Sequence, residues 1–507
     1  MLASVQSATI VGLEALPVSV EVDVGPGLPS FSIVGLPDAA VYEARERVRS
    51  AIRNSRYEMP PRRTVVNLAP GNRRKEGPAL DLPIALAILV ATGQLRQDAV
   101  TGYLAAGELA LDGSLRSIPG ALSIAQTAAA LRARGLLVPE ASGAEAAVVE
   151  EVTVYALSSL RAAIEHLTGA GPVHPSAGAL PAETEDQAAP VDLADVRGQR
   201  AARRALEIAA AGNLNLLLIG PPGTGKTMLA RRLPTILPLL SRAESIEVTK
   251  IYSVAGVMPA GTRLVARRPF RAPHHTASAA AIVGGGPGPR PGEITLAHHG
   301  VLFLDELLEF RTDVLEVLRQ PMEDGAVVIA RAHGAVRFPG RFALVGAMNP
   351  CPCGFRGDPR RECICTPAQV QRYLARLSGP LLDRIDMHVE VPRPPTDDLL
   401  LGGPGESSAE VRARVVAARE RAAHRTLHDP PSPVQRGLRR WGAVDGPGAP
   451  FLRSAAERLG LGARATDRIL RVARAIADLD DAGVVAIPHI AEALQYRVLD
   501  RRSVRPP

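Results

Sequence analysis

A glycine-rich segment near the middle of the chain constrains the fold more than any other feature. Its sequence is Gly220-Pro221-Pro222-Gly223-Thr224-Gly225-Lys226-Thr227. The apolar run 214–219 before it is typical of a buried strand, and residues 228–232 after it are typical of the start of a helix. In this order the three elements predict a phosphate-binding loop, where backbone N–H groups and a helix N-terminus converge on phosphate oxygens. The sequence therefore predicts a nucleoside triphosphate site.

A second strand supplies the acidic groups that such a site needs. The apolar run 300–304 ends in Asp305 and Glu306. We expect Lys226 to reach the β- and γ-phosphates, and Thr227 and Asp305 to hold Mg²⁺. Glu306 is then placed to polarise the attacking water.

Three further polar residues complete the predicted site. The strand 342–348 ends at Asn349, whose amide is placed to orient the attacking water. Arg384, in the segment 381–386, and Arg464, in a helical run near the C-terminus, are both candidates to neutralise charge on the γ-phosphate. Either arginine would act within its own subunit or on a neighbour.

Composition limits the classes of protein to which the chain belongs. No window has the ~18 uninterrupted apolar residues that a membrane span requires, and the first 16 residues lack the pattern of a secretion signal. These observations predict a cytoplasmic protein without a membrane partner. The net charge of +7 permits nucleic-acid binding. However, only 3 of the 59 basic residues are lysines, and this bias is more typical of GC-rich coding than of selection for phosphate contacts.

The chain divides into four predicted regions. Residues 1–169 mix strands and helices, and 170–190 have the Pro, Ala and acidic composition of a linker. Residues 191–392 alternate strands with helices and contain every nucleotide motif, which predicts an α/β core with a parallel sheet. Residues 393–507 are predicted to be helical, with a Pro- and Gly-rich break at 430–450. Within the first region the patterns predict strands at 18–24 and 64–68 and helices at 39–54, 82–92 and 121–133.

All four cysteines lie close together within the α/β core. They form two pairs, Cys351 with Cys353 and Cys363 with Cys365, separated by nine residues. This spacing predicts a tetrahedral zinc site, with a redox pair or free thiols as the alternatives. A cytoplasmic location argues against a structural disulfide.

Two segments are candidate contacts for a polyanion. The insert between the phosphate loop and Asp305 contains Arg271, His274 and His275 together with glycines that favour mobility. The alternative is a solvated insert whose histidines pack locally. Arg331 and His333 lie in a predicted turn between strands at 327–329 and 336–338.

The N-terminal region has segments that resemble the Lon protease domain. They are 76–84 and 107–113. In that fold a serine and a lysine form the catalytic dyad, and the corresponding positions here are Ala79 and Ser123. Without a nucleophile or an amine base, we expect no peptide hydrolysis.

Taken together, these motifs resemble those of the YifB/ComM family of magnesium-chelatase-like AAA+ ATPases. The matching segments include VEVDVGPGLPSFSIVGLPDAAVYEARERVRSAI, VNLAP, GPPGTGKTMLA, FRAPHHT, PRPGEITLAHHGVLFLDEL, NPCPCG and SGPLLDRID. The resemblance implies an N-terminal Lon-protease-like domain (ribosomal S5 domain 2-like), an AAA+ core and a helical lid. It also implies a hexameric ring with ATP at the subunit interfaces. Arg384 then matches the arginine finger, Asn349 sensor 1 and Arg464 sensor 2.

The resemblance further implies a function on DNA. The role described for the family is branch migration, in which heteroduplex DNA is extended as incoming single strands recombine during natural transformation. By this comparison the insert and the Arg331 hairpin match elements that line a DNA channel. The alternatives are a chelatase motor that acts on a protein or porphyrin partner and an ATP-dependent protease. Ala79 argues against the protease.

Overall fold

The computed structural model describes most of the chain. The described residues are 2–176, 191–258, 262–286, 288–331, 334–395, 397, 403, 405–428, 444 and 446–499. Most of the predicted linker, residues 177–190, lies outside this set. So do His333 and much of the predicted break at 430–450.

A seven-stranded sheet forms the centre of the N-terminal region. Its strand order is β3-β4-β2-β1-β5-β8-β9, with β1 antiparallel to β2 and parallel to β5. The strands of the region are β1 (Leu2–Val11), β2 (Glu14–Gly25), β3 (Ser30–Val34), β4 (Arg63–Ala69), β5 (Tyr103–Ala105), β6 (Glu108–Leu109), β7 (Leu115–Arg116), β8 (Gly135–Pro139) and β9 (Val154–Leu157). The helices are α1 (Ala39–Asn54), α2 (Asp81–Ala91), α3 (Gln97–Val100), α4 (Ala121–Ala130), α5 (Glu140–Ala146) and α6 (Leu160–Thr168).

The sequence patterns explain these elements. The helix predicted at 39–54 is confirmed with the same bounds, and the side chain of Asp38 caps it by accepting from the Val41 N–H. The helix predicted to run to residue 133 ends earlier, at Ala130, since Arg132 has a left-handed φ of 53° that cannot continue a helix. Every residue of α2 is buried, as expected for a helix that is apolar on all sides.

The α/β core contains a five-stranded parallel sheet in the order β11-β14-β17-β10-β18. Its central strands are continuous apolar runs because both faces of the sheet are covered. The strands of the core are β10 (Leu216–Ile219), β11 (Phe270–Arg271), β12 (Gly284–Gly285), β13 (Arg290–Pro291), β14 (Val301–Leu304), β15 (Ala326–Arg331), β16 (Gly334–Pro339), β17 (Ala343–Met348) and β18 (Met387–Glu390). The predicted hairpin is confirmed as the antiparallel pair β15 and β16.

Helices cover the sheet and form the C-terminal region. Those of the core are α7 (Arg200–Gly212), α8 (Lys226–Ile236), α9 (Arg242–Ala255), α10 (Ala279–Val283), α11 (Glu293–Leu296), α12 (Thr312–Val317), α13 (Arg319–Asp324), α14 (Pro367–Leu374) and α15 (Gly379–Leu382). The C-terminal helices are α16 (Ser408–His428), α17 (Gly448–Leu459), α18 (Ala463–Leu479) and α19 (Ile487–Gln495). These C-terminal helices share one hydrophobic core with the parallel sheet.

A buried carboxylate joins the C-terminal helices to the sheet. Asp386 is fully buried and accepts from Nη1 of Arg468 at 2.8 Å and Nη1 of Arg471 at 3.2 Å. Its other oxygen accepts from the backbone N–H of Asn215 at 2.8 Å. Since both arginines lie on α18, this carboxylate fixes that helix against the start of β10.

Candidate nucleotide site

The polar residues that the sequence assigned to three different strands meet at one edge of the parallel sheet. Ile219 is in register with Met348, and Leu304 is in register with Gly346. Because the carboxyl ends of parallel strands lie at the same edge, the residues that follow these strands approach one another there.

Backbone geometry shapes the phosphate loop. Gly223 and Gly225 have φ of 76° and 89°, values that a residue with a side chain adopts only under strain. A Cβ at Gly220 would clash with the carbonyl oxygen of Val391. The Thr224 hydroxyl donates to the Pro221 carbonyl at 3.0 Å and closes the loop.

The ammonium group of Lys226 is buried inside this loop. Its Nζ donates to the carbonyls of Gly220 at 2.7 Å and Pro221 at 2.9 Å, and lies 3.3 Å from Oδ1 of Asn349. Burial lowers the pKa of Lys226, against the opposing effect of Asp305 and Glu306. The partners are neutral oxygens, so the amine is positioned to exchange them for the charged oxygens of a phosphate.

Thr227 and Asp305, the two predicted Mg²⁺ ligands, are hydrogen-bonded to each other. Oγ1 of Thr227 donates to Oδ2 of Asp305 at 2.6 Å, and the other carboxylate oxygen accepts from the Glu306 N–H at 3.0 Å. A hydroxyl and a carboxylate at this distance are the hard donor set that Mg²⁺ takes beside substrate phosphates.

Glu306 has an unusual backbone and an unexpected partner. Its φ is 50°, in the left-handed region that is sparsely populated by non-glycine residues and is often found at functional sites. Its carboxylate Oε2 lies 3.3 Å from Nδ1 of His275. The His275 ring also packs on His274, with ring centres 4.1 Å apart, and edge-on against Phe310. The insert proposed from sequence as a polyanion contact therefore reaches the candidate catalytic carboxylate.

The other predicted polyanion contacts have different surroundings. The guanidinium of Arg271 forms a two-point ion pair with Glu293, at 2.7 and 2.8 Å. Nδ1 of His274 lies 2.9 Å from the Thr276 hydroxyl. Arg331 ends β15, but its side chain, like His333, lies outside the described atoms.

The two predicted arginines have recorded partners outside the phosphate loop. Nη2 of Arg384 pairs with Oε1 of Glu323 at 2.6 Å, and its buried Nε has no hydrogen-bond partner among the described residues. Arg464 is largely exposed and its Nη1 lies 3.6 Å from Oδ2 of Asp383. The structure therefore brings together the phosphate loop, Asp305, Glu306 and Asn349, and leaves both arginines outside this group.

One polar residue at the site was missed from the sequence. Gln199 has a left-handed φ of 51°, and its Nε2 donates to the carbonyls of Thr224 at 3.3 Å and Pro392 at 2.7 Å. It links the phosphate loop to the end of β18. Gln199 lies outside every nucleotide motif, and the sequence around it carries no pattern that indicates this role.

The four cysteines converge in space. Their Sγ atoms all lie within 4.8 Å of one another, and Cys351, Cys353 and Cys363 are mutually 3.4–3.6 Å apart. Thiolates around tetrahedral zinc, with Zn–S bonds of about 2.3 Å, are separated by roughly 3.8 Å. Backbone N–H groups, that of Phe355 first, lower the pKa of Cys353 to about 6, whereas burial raises the pKa of Cys351 to about 12. The clustering of the four sulfur atoms matches the ligand type of a structural zinc site.

A second cluster, Glu247 with His298 and His299, has a different chemistry. Both Nε2 atoms lie 2.9 Å from Oε2 of Glu247. Nδ1 of His298 accepts the backbone N–H of Arg341, so Nε2 carries the ring proton and donates to Glu247. Burial lowers the pKa of His298 to about 4, which keeps that ring neutral. A metal bound at Nε2 of His298 would need the opposite tautomer, with Nδ1 as donor. The cluster therefore links α9 to the end of the β16 hairpin strand.

At the positions matched to the Lon-type dyad, Ala79 carries no hydroxyl and Ser123 carries no amine. Ala79 lies in a short 3₁₀ turn before α2, and its carbonyl accepts from the Gly107 N–H. The buried Ser123 hydroxyl donates to the Leu13 carbonyl at 2.7 Å, so it stabilises local structure.

Comparison with protein families matches most of the chain to one group. A family model described as "Magnesium chelatase, subunit ChlI" matches residues 192–399. Models described as "Subunit ChlI of Mg-chelatase" and "Magnesium chelatase, subunit ChlI C-terminal" match residues 20–142 and 405–497.

Curated relatives extend this likeness to full length. The chain is 44% identical to uncharacterized protein YifB of Salmonella typhimurium over 502 residues, covering 99% of the chain and 98% of that protein. It is 43% identical to competence protein ComM of Haemophilus influenzae over 509 residues, with the same coverage. It is 25% identical to the magnesium-chelatase 38 kDa subunit of Cereibacter sphaeroides over 272 residues, covering 50% of the chain and 69% of that protein. Among the described residues, no helix has the length and apolarity to cross a membrane.

Proposed function

The chain belongs to the YifB/ComM family of magnesium-chelatase-like AAA+ proteins, and from this premise we propose that it is an ATP-driven motor on DNA. Membership of this AAA+ group indicates ATPase activity with nucleotide and Mg²⁺. The proposed motor is a homo-hexamer that promotes branch migration and extends heteroduplex DNA in homologous recombination during natural transformation. Its partners are single-stranded and branched DNA. The competence name of one relative supports this role.

The geometry supports a division of labour in ATP hydrolysis. Lys226 leaves the carbonyls of Gly220 and Pro221 and binds the β- and γ-phosphates. Thr227 and Asp305 hold Mg²⁺, which neutralises phosphate charge when bound. Glu306 polarises the attacking water, and Asn349, beside Lys226, orients it.

One contact supports coupling to DNA most directly. The insert that carries His274 and His275 is the proposed DNA-contacting segment, and His275 lies 3.3 Å from the Glu306 carboxylate. A shift of the insert on a DNA strand would change this contact and thereby the position of Glu306. DNA binding and hydrolysis would then be linked through one side chain.

The test of this function is ATPase activity with and without single-stranded or forked DNA. We expect stimulation by DNA that weakens as salt increases, since contacts to phosphates release counterions. His275→Ala should change the DNA-free rate and reduce the stimulation, whereas His274→Ala should leave the DNA-free rate close to that of the wild type. Hydrolysis indifferent to DNA at low salt would contradict the proposal.

The alternative is a chelatase-type motor that acts on a protein or porphyrin partner. The 25% identity to a magnesium-chelatase subunit over half of the chain favours it. That function predicts an active ATPase with no response to DNA, so the same experiment separates the two.

We also propose a cytoplasmic location and one structural zinc ion per chain, held by Cys351, Cys353, Cys363 and Cys365. A reducing compartment keeps these thiols available to the metal. Elemental analysis of protein purified without chelator should give a zinc stoichiometry near one. A stoichiometry near zero with four freely titrating thiols would contradict this assignment.

The N-terminal region is proposed to have no peptidase activity. Ala79 supplies no hydroxyl, and Ser123 supplies no amine base. We expect no cleavage of an unfolded protein substrate with or without ATP, measured beside an active Lon protease. ATP-stimulated cleavage would show that another nucleophile is present.

A further inference from the structure

The four cysteines lie on a loop that also borders the nucleotide site. We call residues 351–365 the cysteine loop. It starts two residues after Asn349 and ends just before Thr366, the N-cap of α14. A movement of this loop would therefore shift Asn349, because a single residue, Pro350, separates the two.

The cysteine loop also touches the phosphate loop directly. A Cβ at Gly354 would lie 2.9 Å from Cδ of Pro222 and 3.9 Å from Cγ of Asn349. Gly354 has a φ of 86°, and its N–H donates to the Cys351 carbonyl at 2.9 Å in a tight turn. Its missing side chain is what permits the two loops to approach so closely.

A second contact ties the far side of the cysteine loop to the site. The carboxylate of Asp358 is fully buried and pairs with Nη2 of Arg393 at 3.1 Å. Arg393 follows Pro392, whose carbonyl accepts from Gln199, and Gln199 also binds the phosphate loop at Thr224. The cysteine loop therefore contacts the phosphate loop at Gly354, and Asp358 links it to the same loop indirectly, through Arg393 and Gln199.

The cysteine loop has little apolar material to keep it closed. Apart from the Asp358 side chain, only Cys351 and Gly354 of this loop are buried, and Ile364 is 85% exposed. The converging sulfur atoms are the feature that draws its two ends together. A loop of this kind depends on a bound ion for its shape, as small metal-closed motifs do.

We infer that the cysteine loop, closed by a thiolate-bound divalent ion, positions Pro222 and Asn349, so that metal occupancy sets the affinity for ATP. This rests on the zinc and ATP parts of the proposed function and is independent of the DNA part. Gly354 is the positioning residue at the contact, and the four cysteines act through it.

Two glycines of the cysteine loop provide a matched test. Gly354→Ala adds a methyl group against Pro222, whereas Gly357→Ala adds one at a similar φ of 82° with no atom within 4 Å. Both variants strain the backbone equally, but only the first pushes on the phosphate loop. Overpacking by a methyl group has a free-energy cost whose lower end, about 1.4 kcal/mol, corresponds to about tenfold in a dissociation constant. We therefore expect Gly354→Ala to bind nucleotide about tenfold more weakly, and Gly357→Ala to change the affinity little. Both should retain one zinc per chain and a cooperative thermal transition.

The measurements are the dissociation constant of a fluorescent ATP analogue and the zinc content of the full-length chain. Removal of zinc from the wild type by a chelator should weaken nucleotide binding, and zinc addition should restore it; this arm needs no variant to fold. Equal nucleotide affinities for the two glycine variants, or unchanged affinity after zinc removal, would overturn the inference. A missing response to DNA would count against the motor function and leave these results unaffected.

Discussion

Replacing Lys226 with alanine is expected to abolish ATP binding. The amine now bound to the carbonyls of Gly220 and Pro221 is the cation placed to reach the phosphates. Loss of two charge-assisted hydrogen bonds of about 1.5–3 kcal/mol each lowers affinity by on the order of a hundredfold or more. The fold should be retained, because burial lowers the pKa of Lys226, which means that the buried charge contributes little to the stability of the folded chain.

One variant serves as a control for this result, and a second separates ATP binding from hydrolysis. Lys250→Ala removes a lysine whose Nζ pairs with Glu14 at 2.7 Å, away from the phosphate loop, and should leave ATP binding unchanged. Glu306→Gln should bind ATP but lose about 10²–10⁴ in hydrolysis, the usual contribution of a general base. Titration with a fluorescent ATP analogue and steady-state ATPase assays measure both effects. Hydrolysis by Glu306→Gln at the wild-type rate would refute the water-positioning assignment.

Replacing Arg384 with alanine is expected to lower the ATPase rate by roughly 10³–10⁵, the effect of an arginine finger. In the single chain Arg384 pairs with Glu323 and donates to the Pro380 carbonyl, and among the described residues its polar partners do not include the phosphate loop. An arginine in this position is more useful in the site of a neighbouring subunit. The alternative is a purely structural ion pair, worth under about 1 kcal/mol where the partner is half exposed.

A mixing experiment separates these two interpretations of Arg384. Arg384→Ala and Lys226→Ala are each expected to be inactive, but their mixture should recover part of the activity. Recovery requires an intact Lys226 site to meet an intact Arg384 across one interface. Arg376→Ala, which removes a surface pair with Glu309, is the matched control and should keep its activity. Near-normal hydrolysis by Arg384→Ala alone would remove it as the finger and leave Arg319 or Arg464 as candidates.

Local sequence patterns predicted the part of the site that depends on strand ends. The run 214–219 and the glycine-rich loop, with Asp305, Glu306 and Asn349 after later strands, place these groups at one sheet edge, because parallel strands share the direction of their carboxyl ends. The spacing of the two cysteine pairs predicted that the four sulfur atoms converge, and they do.

The contacts made by the insert and by distant residues were not predictable. Nothing local to His275 indicates that its ring lies against Glu306, and nothing local to Gln199 indicates a bond to Thr224. Both depend on how separate segments pack in three dimensions. The role of Arg384 depends on a neighbouring subunit, so it stays a prediction.

The central claim, that ATP hydrolysis moves branched DNA, is tested most directly by a branch-migration assay. A labelled three-strand junction is incubated with the full-length chain, ATP and Mg²⁺, and displacement of the labelled strand is followed over time. The account predicts displacement with ATP and none with Glu306→Gln, although that variant should still bind the junction. The account would be contradicted by a wild-type protein that hydrolyses ATP but displaces the labelled strand no faster than Glu306→Gln does.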